Sequence, residues 1–155
     1  MLICKMELKR YIKKKYTNKF RISLKDMPEY FKDKEAVAKN LRKNPVIYTV
    51  FVKEEKELNY YLTVLMPGKI GKQYFMTRGH MHKRPLSETY MLVGGNAWLL
   101  MKKGKEKSLT KMEKNIAYIV PGDFAHRVIN PGKKEALFLT ITPKEAGHIY
   151  KKNLL

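Results

Sequence analysis

Apolar residues along this chain gather in short runs bounded by turn-forming residues. Runs at residues 46–52, 60–66, 74–77, 89–93, 97–101, 108–112, 116–120, 127–129 and 136–141 have the length and β-rich make-up of strands. Pro67-Gly68, Gly71, Gly94-Gly95-Asn96, Lys103-Gly104, Pro121-Gly122 and Asn130-Pro131-Gly132 punctuate them, and a charged turn fills residues 53–59. Many short strands without interleaved helices predict an all-β sandwich or barrel. Residues 23–44 differ and read as helical. Asp33 is placed to cap a helix over 34–43, with Ala36, Val37 and Leu41 on one face, and Asn44-Pro45 ends it. Residues 8–21 are basic with Tyr11, Tyr16 and Phe20 interspersed, a pattern that fits an arm, an edge strand or a dimer contact. The expected organisation is one domain over 1–155: a basic arm at 1–22, a helical segment at 23–44 and a barrel at 45–150. No internal repeat, linker or low-complexity segment interrupts it.

Composition narrows the class. A chain of 155 residues that is 44% apolar is long enough for one domain with a real core. The single cysteine, Cys4, excludes an internal disulfide and does not suggest a thiolate metal site. The apolar stretch before Cys4 is too short for a signal peptide, and runs such as 97–101 and 116–120 are too short to span a bilayer. A cytoplasmic protein is the expectation. The net charge of +19 is spread out: residues 1–44 carry 14 basic and 5 acidic groups, net +9, leaving +10 for the remainder. With no aromatic–basic RNA-binding motif, the charge reads as lysine-rich composition of the kind an AT-rich genome produces. A nucleic-acid partner is not expected. A basic field does attract anionic small molecules such as sugar phosphates.

The candidate chemistry lies in His80-x-His82, in Glu88 six residues on, and in His126 within Pro-Gly-Asp-Phe-Ala-His. Imidazoles at alternate strand positions point to one side. A carboxylate from the next strand and a third imidazole from a distant one close a four-ligand site. Neutral imidazoles plus one carboxylate suit a divalent transition metal with positions left for substrate. Glu88 is also the lone acidic residue among eight Lys or Arg between residues 58 and 105. Pairing with Arg78 or Arg84 is its plainer alternative.

These two blocks, Gly79-His80-x-His82 through Glu88 to Gly94-Gly95 and Pro121 through His126 to Asn130, resemble the paired motifs of the cupin fold, a double-stranded β-helix or jelly roll. The resemblance narrows to the archaeal cupin-type phosphoglucose isomerases. It is carried by Thr63-Val64-Leu65 with Pro67-Gly68-Lys69, by Tyr74 through His82, by Glu88-x-Tyr90, by Tyr118 through Pro121, by Ala125-His126-Arg127-x-x-Asn130 and by Ala146-Gly147-His148-x-Tyr150. It implies interconversion of glucose 6-phosphate and fructose 6-phosphate, a step of glycolysis and gluconeogenesis, assisted by a divalent metal. The metal is commonly iron(II); nickel, manganese, cobalt and zinc suit the same donors. Carried over by position, His80, His82, Glu88 and His126 would hold the metal, Glu88 doubling as acid/base. Thr63, Thr77, Gly79 and Tyr90 would lie near the substrate phosphate, and His148 and Tyr150 near the sugar. The resemblance also implies a homodimer.

Three local departures stand out. The His82–Glu88 interval is one residue shorter than in the family and contains Pro85. The second block has Pro121-Gly122 where Pro-Pro is common. The tail has Thr142-Pro143 where a Tyr-Pro pair is usual. Thr63 and Thr77 also suit strand packing, His148 and Tyr150 also suit a structural tether, and Trp98 reads as core rather than as a sugar platform. Two other functions fit the same residues: a different metal-dependent cupin enzyme, such as a dioxygenase or another sugar isomerase, and a non-catalytic basic cupin binding nucleic acid.

Overall fold

The computed structural model describes residues 14–150. Residues 1–13 of the expected basic arm, and 151–155, lie outside the described residues. The strands are β1 (Asn18–Ser23), β2 (Val46–Glu54), β3 (Leu58–Leu65), β4 (Lys69–Ile70), β5 (Gln73–Tyr74), β6 (His80–His82), β7 (Glu88–Gly94), β8 (Trp98–Lys103), β9 (Glu106–Lys111), β10 (Ala117–Val120), β11 (Ala125–Ile129), β12 (Ala136–Pro143) and β13 (His148–Tyr150). They form a six-stranded sheet in the order β1-β2-β3-β12-β7-β10 and a five-stranded sheet in the order β13-β6-β11-β8-β9. β4 and β5 make a separate hairpin. Every pairing between these strands is antiparallel.

Residue alternation explains why the two sheets face each other. In the large sheet Leu65, Leu92, Val120 and Phe138 turn inward and join one buried cluster with Leu99 and Val128 of the small sheet. The intervening Leu62, Leu137 and Leu139 turn outward into a second buried cluster. β3 and β12 are therefore apolar on both faces, as strands in the middle of a sheet buried on both sides must be. Toward one end the inward positions become polar: Thr63 on β3, Thr140 and Thr142 on β12, Glu88 on β7. That end holds the site.

The helical segment is broken rather than continuous. Two 3-10 turns, Leu24–Asp26 and Pro28–Tyr30, precede the helix α1 (Lys34–Leu41). Met27 between the turns has an extended φ of −152°, and Pro28 lacks the N–H that a continuous helix would need. Asp33 caps α1 by accepting from Ala36 N at 2.9 Å. Leu24, Met27 and Phe31 are fully buried, so the segment seals one side of the barrel. Arg127, facing away from the site, donates to Met76 Sδ at 3.0 Å and lies 5.9 Å from the centre of the Tyr30 ring, which fastens the segment to β11. Asn130 is structural too. Its amide donates to Leu65 O and Lys134 O, and its carbonyl accepts from Gly132 N, so it ties the β11–β12 turn to β3. Trp98 is half-buried and meets Tyr74 edge-on, with centroids 6.0 Å apart.

Candidate metal centre

Strand register assembles the histidines. His80 and His82 are alternate residues of β6 and share a face. His126 of β11 pairs with His80, while β13 places His148 opposite His82 and Tyr150 opposite His80. Direct cross-strand partners share a face, so all four imidazoles lie on the inner surface of the small sheet. Glu88 faces them from the large sheet, at the start of β7, flanked by Val120 of β10.

The polar atoms converge tightly. Glu88 Oε1 lies 3.3 Å from His82 Nε2 and 3.5 Å from His80 Nε2, and it also contacts His126 Nε2. His126 Nε2 and His80 Nε2 are 3.0 Å apart. Two backbone carbonyls orient the rings: His82 Nδ1–H donates to Leu86 O at 2.5 Å, and His126 Nδ1–H donates to Phe124 O at 2.9 Å. A proton committed to Nδ1 leaves Nε2 as a bare lone pair. Lone pairs and a carboxylate oxygen thus face one another in a dry space. Among the described residues, His82 Nε2 and Glu88 Oε1 are buried without a hydrogen-bond partner. A shared cation satisfies all of them at once, and this donor set suits a divalent transition metal.

Electrostatics agree with that fit. Burial opposes ionisation of Glu88, but the ring nitrogens of His126, His80 and His82 outweigh it and hold the carboxyl well below its usual range. Burial pushes His80 down to about 4, so it is a neutral imidazole at physiological pH. Burial likewise lowers His148, with the Glu88 charge opposing it in part. For His82, burial is overcome by Glu88 and the pKa rises. The cluster thus sets an ionised Glu88 beside a neutral His80, the protonation states that metal ligation needs.

His148 also comes close: its ligand nitrogen lies within 4.8 Å of those of His80, His82 and Glu88. His126 touches Glu88 directly, and its ring is locked by Phe124 O. His148 borders a cavity of about 420 Å3 that opens from the cluster, whereas fully buried His126 does not.

The cavity gathers most of the other residues expected from sequence. Thr63, Thr77, Tyr90 and Tyr150 all line it, with Tyr150 53% exposed at its rim; Gly79 is buried beside β6 and does not line it. Thr77 Oγ1 accepts from Val128 N at 3.0 Å, so its own proton is free for another acceptor. Arg78 is the one Lys or Arg among the lining residues. Its guanidinium donates to Asp26 O, while its Nε is buried with no partner among the described residues.

Tyr48, Tyr61 and Thr140 also line the cavity and were not singled out from sequence. Thr140 and Thr142 carried a signal that was available: Leu-Phe-Leu-Thr-Ile-Thr puts hydroxyls at alternate inward positions of an otherwise apolar strand.

Comparison with known proteins decides the family. The family model described as glucose-6-phosphate isomerase (GPI) matches residues 23–153. This chain belongs to the glucose-6-phosphate isomerase family. It is 41% identical over 133 residues to the glucose-6-phosphate isomerase of Thermococcus gammatolerans, covering 82% of this chain and 70% of that one. It is 40% identical over 134 residues to that of Pyrococcus horikoshii, with 82% and 71% covered. A family member from Sinorhizobium medicae is 28% identical over 158 residues, with 95% and 72% covered. Among solved structures, Bacillus subtilis oxalate decarboxylase superposes with a TM-score of 0.57 at 18% identity, over 66% of this chain and 28% of that one. Peruvianin-I from Thevetia peruviana gives 0.52 at 18% identity, over 61% and 56%. These likenesses show the fold, a cupin barrel, which the isomerase family member described here shares.

Proposed function

We propose that this chain interconverts glucose 6-phosphate and fructose 6-phosphate at the cavity above His80, His82, Glu88 and His126. The observation that carries the reading is the placement, in a member of this family, of one carboxylate among three imidazoles at the base of a cavity whose one Lys or Arg among the described residues is Arg78. His80, His82, Glu88 and His126 would hold a divalent metal, which would supply stabilisation of negative charge developing on substrate oxygens. Iron(II) is the metal we assign by family resemblance.

Aldose-to-ketose conversion must move one hydrogen from C2 to C1 and one proton between the two oxygens. Glu88, charged and buried, takes the C2 proton and returns it to C1 through a cis-enediol. His148, neutral and bordering the cavity, gives a proton to O1 and takes one from O2. Atoms and charge then balance over the cycle. Thr63, Thr77 and Tyr90 are assigned to the phosphate side and Tyr150 to the sugar at the rim, with the free Thr77 hydroxyl proton and Arg78 as the groups best suited to an anion. By the same resemblance we assign a homodimer in the cytoplasm, with no nucleic-acid or membrane partner; no helix among the described residues is long and apolar enough to cross a membrane.

A coupled dehydrogenase assay on fructose 6-phosphate tests the reading, with unphosphorylated fructose as the control. Turnover of the phosphate ester alone is expected; equal turnover of fructose, or none of either, contradicts it. Arg78→Met is expected to raise KM for fructose 6-phosphate roughly tenfold or more, with kcat changed less than about threefold, as loss of a charged hydrogen bond to a non-reacting group requires. An unchanged KM in a variant with unaltered melting would remove Arg78 from phosphate binding.

A further inference from the structure

We infer that Thr142 is a positioning residue for Glu88, dividing the work of its two carboxylate oxygens. The inference rests on the metal centre proposed above. Thr142 Oγ1 lies 2.7 Å from Glu88 Oε2, in a fully buried contact between residues 54 positions apart. An ionised carboxylate has no proton to give, so the hydroxyl donates. Oε2 is thereby satisfied, and Oε1, which has no hydrogen-bond partner among the described residues, is the oxygen turned to the three Nε2 atoms.

The contact is built by register. β12 and β7 pair through Ile141 and Thr89, and the next residues along the antiparallel ladder are Thr142 and Glu88. Both point inward, so the hydroxyl meets the carboxylate from the neighbouring strand. Thr142 is 1% exposed and does not line the cavity. It touches no substrate there and acts only through Glu88. Pro143 ends the strand next to it and limits local rearrangement. In this chain Oε2 is held by Thr142, which leaves Oε1 to face the imidazoles.

The test uses metal-stripped full-length protein titrated with cobalt(II), read by calorimetry and by the cobalt d–d absorption band. Thr142→Val keeps the shape and removes the hydroxyl. It should weaken cobalt binding about 10- to 100-fold and alter the band, the usual effect of deleting a group that orients a ligand. Thr142→Ser restores the hydroxyl and should bring affinity to within about threefold of the wild type, with its spectrum. A role confined to packing would lower the melting temperature without changing the affinity or the spectrum of the folded protein. Wild-type affinity and spectrum in the Val variant, or a Ser variant as weak as Val, would overturn the inference while leaving the metal centre intact. A wild type that takes up no cobalt would remove the metal centre itself, and the inference with it.

Discussion

Glu88→Gln is expected to lower turnover of fructose 6-phosphate by about 100- to 10,000-fold, the range spanned by loss of a general acid–base group. Glu88 Oε2 accepts from Thr142, so the glutamine carbonyl takes that position and its NH2 turns toward the three Nε2 atoms. The imidazoles that hold the Glu88 carboxyl below its usual range lose a charge to attract, so the metal-free melting temperature should not rise. Metal affinity should fall by at least about tenfold with the loss of a charged ligand. A variant that binds metal as tightly as the wild type, or one that turns over at near wild-type rate, would contradict this.

Gly122→Ala should be nearly as damaging to the site, although residue 122 touches no ligand. A Cβ on Gly122 would stand 2.1 Å from Pro85 C and 2.4 Å from both Pro85 O and Leu86 N. All three are backbone atoms, so the whole 83–87 loop must move. Leu86 O is the acceptor that fixes the His82 ring. We expect a loss of stability of about 2–3 kcal/mol, from overpacking against a backbone that cannot yield. Metal affinity should drop about 10- to 100-fold, because the orientation of His82 goes with the loop. Denaturant melts of the metal-free variant and cobalt titration of the folded fraction measure the two effects separately. Unchanged affinity in the folded variant would show that Leu86 O does not hold His82.

Much of the barrel was legible because short β-rich runs and turn residues are local signals. The Asp33 cap and the runs that became β2, β3, β7, β8 and β12 lie where those signals put them, to within a few residues at the ends. The elements that escaped did so for physical reasons. β1 alternates Lys19 and Arg21 with Phe20 and Ile22, so the sequence left an arm, an edge strand and a dimer contact open, and residues 18–23 form the edge strand. The 23–44 segment has enough apolar residues for one helix, yet Met27-Pro28 cannot continue one, so it folds as two 3-10 turns and a short helix. β13 is only three residues long and is held by pairing with β6 across more than 60 positions of chain.

At the site, His-x-His and the isolated Glu88 were readable because their grouping depends on strand period and on charge context. The partners that tune them were not. Leu86 O and Phe124 O are backbone atoms with no residue-type signature. Thr142 meets Glu88 only through the β7–β12 register, which no local pattern encodes. His148 occupies the border between ligand set and cavity, a distinction that rests on a few ångströms of three-dimensional placement.

The most direct measurement is fructose 6-phosphate isomerisation by purified protein stripped with a chelator and then resupplied with iron(II) and other divalent metals in turn. Activity that disappears on stripping and returns with metal, with one equivalent restoring it per chain, is the expected result. Full activity in protein shown by elemental analysis to be metal-free, or metal uptake at the histidine cluster with no isomerisation under any metal, would contradict the proposed function.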